Sequence, residues 1–329
     1  MSKLKWGIFG TGSITNNFSK ILTDMHEEAE LAAVASRNID TAKAFAEKYN
    51  IPKTFGSYEE LAQSSDVDII YIATPHTFHY ENMLLCLNNG KHVLCEKPFT
   101  VTAQQAKEVF SLAKKKNLFV MEAFWTKFFP LFRKLEKVLA DGVIGDISVV
   151  TAQYGFTPPA EQRLARKMDP ALAGGALLDV GVYTIGFASM ICGYAPEAIE
   201  SFAVLGDKGT DTYSTTLMRY KCGAMVYVSS AIGTVMPLDG WIYGTKGRIH
   251  IPNFNCPLHF EVTPDDAEAF ICEMKPELTG FEYQIREAQN CIGKGKIQSD
   301  IMTPEQSIAV MYIMDRIRSI WGMKFPFEK

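Results

Sequence analysis

The sequence predicts an α/β chain of two domains: a parallel sheet wrapped by helices first, then an α+β domain on a largely antiparallel, open-faced sheet. Three observations carry this. The length of 329 residues exceeds what one core usually fills. From Leu4 to about Ala123, short apolar runs alternate with amphipathic stretches, the pattern of strands buried on both faces under helices. After about Phe124, strand-like runs follow one another closely with turn residues between them. The expected division is therefore residues 1–123 and 124–329.

In the first part the strands are read as LKWGIF, ELAAVAS, DIIYIAT, HVLCE and LFVMEA. Between them, Ser57 with Glu60 and Thr102 with Gln105 fit the capping box, in which each end satisfies the other's free N–H, and Gly90 marks a helix stop. The second part opens with a helix around PLFRKLEKVLADG, followed by the strand DISVVTAQYGF and an apolar helix, GALLDVGVYTIGFASMICG. TDTYSTTLMRY and AMVYVSSAI flank the turn KCG, and GWIYG and RIHIP flank TKG, which predicts two hairpins. Two helices close the chain, near FEYQIREAQNCI and PEQSIAVMYIMDRIRSIW; the Met-containing apolar side of the second is read as core.

Charge and cysteine usage exclude several classes. Lys and Arg (33) nearly balance Asp and Glu (37), and the basic residues are spread along the chain, so nucleic acid is not an expected partner. The seven cysteines are scattered without a C-x-x-C pair, which argues against a disulfide frame or structural zinc and for a reducing compartment. The start, MSKLKWGIFG, enters a strand-like run without an apolar leader, and no apolar run is read as long enough to cross a bilayer. A cytoplasmic protein without a membrane partner is expected.

WGIFGTGSIT places Gly10 and Gly12 just past the first strand and opens a helix at Ser13-Ile14. Gly10 permits the tight turn, and Gly12 lets the backbone at Thr11, Ser13 and Ile14 approach a pyrophosphate seated on the helix N-terminus. Thr15 stands where the G-x-G-x-x-G/A fingerprint has its third small residue. This is the start expected of a Rossmann-type dinucleotide domain. The second strand ends at Ser36-Arg37, where a site selective for NAD usually has a carboxylate for the ribose hydroxyl. A guanidinium grips a 2′-phosphate with two parallel hydrogen bonds, so NADP is expected over NAD. The competing reading makes Arg37 a solvated strand-end charge and Asp40 a helix cap.

The strand DIIYIAT leads into Thr74-Pro75-His76, with His79 three residues on. Nothing in that segment completes a metal site, and the carboxyl ends of parallel strands line the ligand crevice, so Thr74, His76 and His79 are read as cofactor contacts. The same rule places Glu96 and Lys97, at the end of HVLCE, near the nicotinamide end of a dinucleotide. There Lys97 can stabilise charge on a substrate oxygen.

Taken together, GIFGTGSI, ATPHTFH, GKHVLCEKPFT, MEAFWTKFFP and GGALLDVGVY resemble the glucose-fructose oxidoreductase, inositol dehydrogenase and MocA family over residues 7–183. The resemblance implies that Lys97 is the central catalytic residue and that the Lys97-Pro98 bond is often cis. It also implies that Asp179 and Tyr183 stand where the family commonly has Asp and His. A four-residue helical step puts these two on one face, and a phenol can pass the proton that accompanies hydride transfer. The competing role for Tyr183 is a hydroxyl tied to backbone. MEAFWTKFFP is most similar to the branch of dimeric dihydrodiol dehydrogenases and NADP-dependent xylose dehydrogenases.

These implications give an NADP-dependent enzyme acting on a secondary alcohol or hemiacetal carbon of a small sugar, polyol or trans-dihydrodiol. Lys97, Tyr183 and Asp179 are its catalytic residues, and Lys97 also adjoins the cofactor. Trp125 is read as a pocket wall or as interface packing, and Arg163 and Arg166 as substrate contacts or loop charges. The resemblance further implies a homodimer formed through the second sheet. The alternative is an NADP-binding, sugar-responsive regulator on the same fold, without turnover.

Overall fold

The computed structural model describes residues 3–162 and 166–328. Two compact units emerge: one comprises the chain up to Phe124 together with Glu277–Ser307, the other Trp125–Pro276 and Ile308 onward.

The first unit holds a six-stranded sheet of β1 (Leu4–Phe9), β2 (Ala29–Ala35), β3 (Lys53–Phe55), β4 (Ile69–Ile72), β5 (His92–Glu96) and β6 (Val120–Ala123). Its order is β3-β2-β1-β4-β5-β6, with every pair parallel. That is the doubly wound order, in which the strand order reverses between β1 and β4, the switch point whose carboxyl ends hold ligands in such sheets. The helices are α1 (Ser13–Asp24), α2 (Ile39–Tyr49), α3 (Tyr58–Gln63), α4 (His79–Asn88) and α5 (Ala103–Lys116). Ser57 and Thr102 cap α3 and α5 as expected. The reciprocal bonds reach one residue further back than the capping box predicts, with Glu60 accepting from Gly56 N (3.1 Å) and Gln105 from Val101 N (3.0 Å). The cap of α2 is Asn38, whose Oδ1 accepts from Asp40 N at 2.8 Å, and not Asp40.

Two features depart from the expected organisation. β3 is three residues long, too short to display an alternation, and was not among the expected strands. Residues 277–307 pack with the first unit, whereas the sequence reading assigned all of 124–329 to the second. The physical reason lies in α9 (Phe281–Gly293), whose Phe281 meets Phe18 of α1 edge-on and whose Gln289 accepts from the buried Trp6 indole at 3.3 Å. Arg286 on the same helix bridges Glu28 and Glu277.

The second unit begins with α6 (Pro130–Ala140) and builds an eight-stranded sheet ordered β14-β13-β12-β11-β7-β10-β9-β8. Its strands are β7 (Ile147–Phe156), β8 (Ala198–Leu205), β9 (Asp211–Arg219), β10 (Met225–Ile232), β11 (Gly240–Gly244), β12 (Gly247–Ile251), β13 (His259–Pro264) and β14 (Phe270–Glu273). Only β7 and β10 pair in parallel. Both expected hairpins are present, β9–β10 and β11–β12. A short turn, α7 (Ala160–Gln162), precedes a π turn over Leu177–Gly181 that runs into α8 (Val182–Cys192).

Helix α8 packs its Phe187 against Phe254 beneath the sheet, and a Cβ on Gly240 would sit 2.8 Å from that ring, so only glycine fits there. The stretch Pro170–Cys192 corrects one expectation: it is long and apolar enough to cross a membrane, but 83% of its most apolar window is buried inside the protein. Its apolarity comes from being surrounded by core. The final helix, α10 (Pro304–Ile320), leads to Trp321, whose indole donates to Ser201 Oγ at 3.0 Å.

Candidate active site

In the first unit the site is built where β1 ends. Gly10 has φ +99°, and a Cβ there would lie 3.1 Å from Ala73 O, so the turn requires glycine. Gly12 precedes α1, and no side chain caps the first turn at Ser13-Ile14. The N–H groups of that turn are the donors that suit a pyrophosphate, and α1 carries no acidic residue in its first turn to oppose an anion. Thr15, at the third fingerprint position, is completely buried, with its hydroxyl donating back to Gly12 O at 2.6 Å. Its polarity is satisfied locally, which is how threonine replaces glycine or alanine without spoiling the close helix packing.

Ser36 and Arg37 follow β2 directly. Arg37 is exposed, with its guanidinium 5.6 Å from the Phe78 ring, and Ser36 Oγ accepts weakly from Asn38 N. A planar cation beside an aromatic ring at this strand end suits a phosphorylated ribose.

The segment after β4 is organised by His79. This ring is fully buried, with Nδ1 2.9 Å from Pro98 O and Nε2 2.9 Å from Thr74 O. Both ring nitrogens therefore face backbone carbonyls, and His79 clamps the turn after β5 to the end of β4. Thr74 is likewise internal, its Oγ1 accepting from Asn82 at 3.1 Å. His76, half-buried, lies edge-on to His79 at 5.9 Å and stands closer to solvent than its neighbour.

Glu96 is also internal. It accepts from the Tyr71 hydroxyl at 2.5 Å, and Tyr71 stacks on Phe18 of α1. Burial raises the Glu96 carboxyl above its usual range, while the Tyr71 hydrogen bond and the Lys97 ammonium pull less strongly the other way. Lys97 beside it is half-buried, and the Lys97-Pro98 bond is cis. Phe99 N then donates to the buried Glu122 at 3.2 Å. Of the residues read as cofactor contacts, His79, Thr74 and Glu96 are thus internal and Gly10 is buried in its turn, while Thr11, Gly12, Ser13, Ile14, Ser36, Arg37, His76 and Lys97 are half-buried or exposed.

The second unit places Asp179 in the π turn and Tyr183 one turn later. Both are nearly buried. The sequence predicted a plain α-helix here; the wider turn still carries two polar residues four apart. Asp179 pairs with Lys167 at 2.6 Å, and the Lys167 ammonium also lies 5.3 Å from the Phe156 ring. Tyr183 lies against Tyr154 at 5.6 Å between ring centres. Burial, and then the Asp179 charge, push the Tyr154 phenol up to about 12.

Lys167, Tyr154 and Phe156 were not singled out from the sequence. Lys167 sits in an irregular segment without periodicity, and no sequence signal pairs it with Asp179. Trp125 opens a short turn and packs edge-on against Phe129. Arg166 is exposed. Arg163 falls outside the described residues. Among the described residues, no three His, Cys, Asp or Glu side chains group as metal ligands.

Comparison with known proteins agrees with the two-domain fold. Residues 4–124 match the oxidoreductase family with an NAD-binding Rossmann fold, and residues 132–250 match the GFO/IDH/MocA C-terminal domain. Trans-1,2-dihydrobenzene-1,2-diol dehydrogenase of Xenopus laevis is 35% identical, over 98% of this chain and 99% of its own length. The enzyme of that name from Homo sapiens is also 35% identical, over 99% of both chains. A 3-ketoreductase from Actinomadura kijaniata, solved with NADP and TDP-benzene, superposes with a TM-score of 0.86 at 26% identity, over 97% of this chain and 98% of that one. With both domains matched in order and relatives aligned from end to end, the chain belongs to the GFO/IDH/MocA family and is an oxidoreductase with a nucleotide-binding Rossmann domain.

Proposed function

We propose that the protein is an NADP-dependent dehydrogenase that moves hydride between the nicotinamide and a secondary alcohol or hemiacetal carbon of a small sugar, polyol or trans-dihydrodiol. The observation that carries this reading is the pairing of a half-buried Lys97 at the end of β5 with a first turn of α1 left uncapped for phosphate. The names of the 35%-identical relatives support the diol, and the NADP held by the ketoreductase supports the cofactor. When bound, the nicotinamide supplies or accepts the hydride. Lys97 hydrogen-bonds the reacting oxygen and stabilises its developing negative charge. Tyr183 gives or takes the hydroxyl proton. Asp179, its charge balanced by Lys167, orients the substrate hydroxyls.

The test is absorbance of NADPH with purified protein against aldoses, polyols and trans-dihydrodiols. Turnover with at least one supports the proposal. Tight NADP binding with no turnover across the set favours the sugar-responsive regulator.

Selectivity for NADP rests on Arg37. Hydrogen bonds to charged groups are worth about 1.5–3 kcal/mol, so Arg37→Ala is expected to raise KM for NADP about 10- to 100-fold. KM for NAD, which has no 2′-phosphate, should change little. Equal effects on both cofactors in steady-state kinetics would place Arg37 elsewhere.

A homodimer through the second sheet forms the other part of the proposal. On the face of that sheet away from Ile199, Val226, Ile242 and Ile249, one row crosses seven strands as Leu217, Tyr227, Thr151, Trp241, His250, Glu261 and Ile271. Next to it Phe202 is 83% exposed and Val204 58%, an apolar edge that burial in a second copy would stabilise. Light scattering should return twice the chain mass, and Tyr227→Asp should halve it. A native protein already monomeric at micromolar concentration contradicts this part.

A further inference from the structure

Beneath the turn that carries Asp179 lies a carboxylate that no sequence motif marks. Asp211, the first residue of β9, is 1% exposed, and its Oδ2 accepts from Leu177 N at 2.7 Å. The Ala176 N–H also lies close enough to favour the charged form of this carboxylate. Gly175 adopts φ +126°, and a Cβ there would stand 2.2 Å from Asp211 Oδ1, so the glycine leaves the space that the carboxylate fills. The neighbouring Thr210 hydroxyl donates to Met168 O at 3.2 Å, and Gly175 N donates to Lys167 O at 2.8 Å. Both sides of the loop leading into the helix are thereby fastened to the start of β9. Burial pushes the Asp211 carboxyl up to about 7, against the opposing pull of the Leu177, Asp211 and Ala176 N–H groups and, least, the Arg318 charge.

A helix start leaves N–H groups without intrahelical partners, and here the partner comes from a strand more than thirty residues later in the chain. The geometry points to Asp211 as a positioning residue that fixes the first turn of the helix, and through it the aim of Asp179 and Tyr183. Asp179 is two residues beyond Leu177, and its own N–H donates to Gly175 O at 3.3 Å, so the held turn is the one that bears the carboxylate. Lys167 completes the loop, its carbonyl holding Gly175 and its ammonium holding Asp179. Losing Asp211 would leave buried N–H donors unmatched and release this turn.

The effect on catalysis rests on the function proposed above; the effect on the turn does not. Hydrogen exchange is therefore measured beside kinetics in Asp211→Ala and Asp211→Asn. In Asp211→Ala, exchange at residues 176–183 should quicken about tenfold, with the NADPH Kd unchanged and kcat lower by about 10- to 100-fold. Asparagine, which keeps one acceptor oxygen, should fall between alanine and wild type. Placed in a Tyr183→Phe background, Asp211→Ala should cost less than about twofold more, because residues acting as one unit do not add.

Unchanged exchange in a folded Asp211→Ala, or a full additive loss in the Tyr183→Phe background, overturns the inference. Should the alanine variant fail to fold, Asp211→Asn decides by the same two measurements. Wild-type protein inactive on every substrate defeats the proposed function alone, and the exchange result still decides the role of Asp211.

Discussion

Lys97→Met is expected to lower kcat by about three orders of magnitude while leaving the NADPH Kd within about threefold. Methionine preserves the length and apolar stem of lysine and removes only the ammonium, so the loss reads the charge and not the packing. The frame around the residue has ties of its own: His79 ties Pro98 O to Thr74 O, and Phe99 N is held by Glu122. Removing the ammonium does take away one of the pulls holding the Glu96 carboxyl down, so Glu96 should become still harder to ionise. Stopped-flow hydride transfer and fluorescence titration of NADPH separate the two effects. A variant within tenfold of wild type in the chemical step would reassign the role of Lys97.

Tyr183→Phe is expected to cost about 10²- to 10³-fold in kcat, the usual loss when a general acid or base is removed. The Tyr154 phenol, beside it at 5.6 Å, should not substitute. Pushed up to about 12 by burial and by Asp179, it gives up its proton less readily than an ordinary phenol. Phenylalanine retains the ring contact, so thermal unfolding should shift little. A double variant with Lys97→Met should lose far less than the product of the single losses, since the proposed function has both groups serve one transition state. Independent, multiplicative losses would mean that the two residues serve different steps.

The nucleotide domain was legible because its grammar is local. Strand, glycine turn and helix follow within ten residues at Gly10 and Gly12, and the order of apolar runs alone specifies a parallel sheet. What escaped is non-local. The return of α9 to the first unit depends on Phe281 meeting Phe18 and Gln289 meeting Trp6, pairs separated by more than 260 positions. β8, β13 and β14 were not called individually, being edge-side strands with mixed patterns such as AIESFAVL. The proposed roles of Lys97, Asp179 and Tyr183 came from resemblance, whereas the Lys167–Asp179 and Asp211–Leu177 contacts join segments that no local pattern connects. The internal placement of His79, Thr74 and Glu96 was equally hidden, since a strand-end position does not reveal which way a side chain is turned.

Because residues 277–307 are stitched into the Rossmann unit from far along the chain, that unit is not a contiguous stretch of gene. Anyone grafting it onto a different catalytic partner must splice at three junctions, and a fragment stopped at Phe124 would leave the Phe18 side of α1 stripped of its cover. The two halves of the molecule are in this sense inherited together.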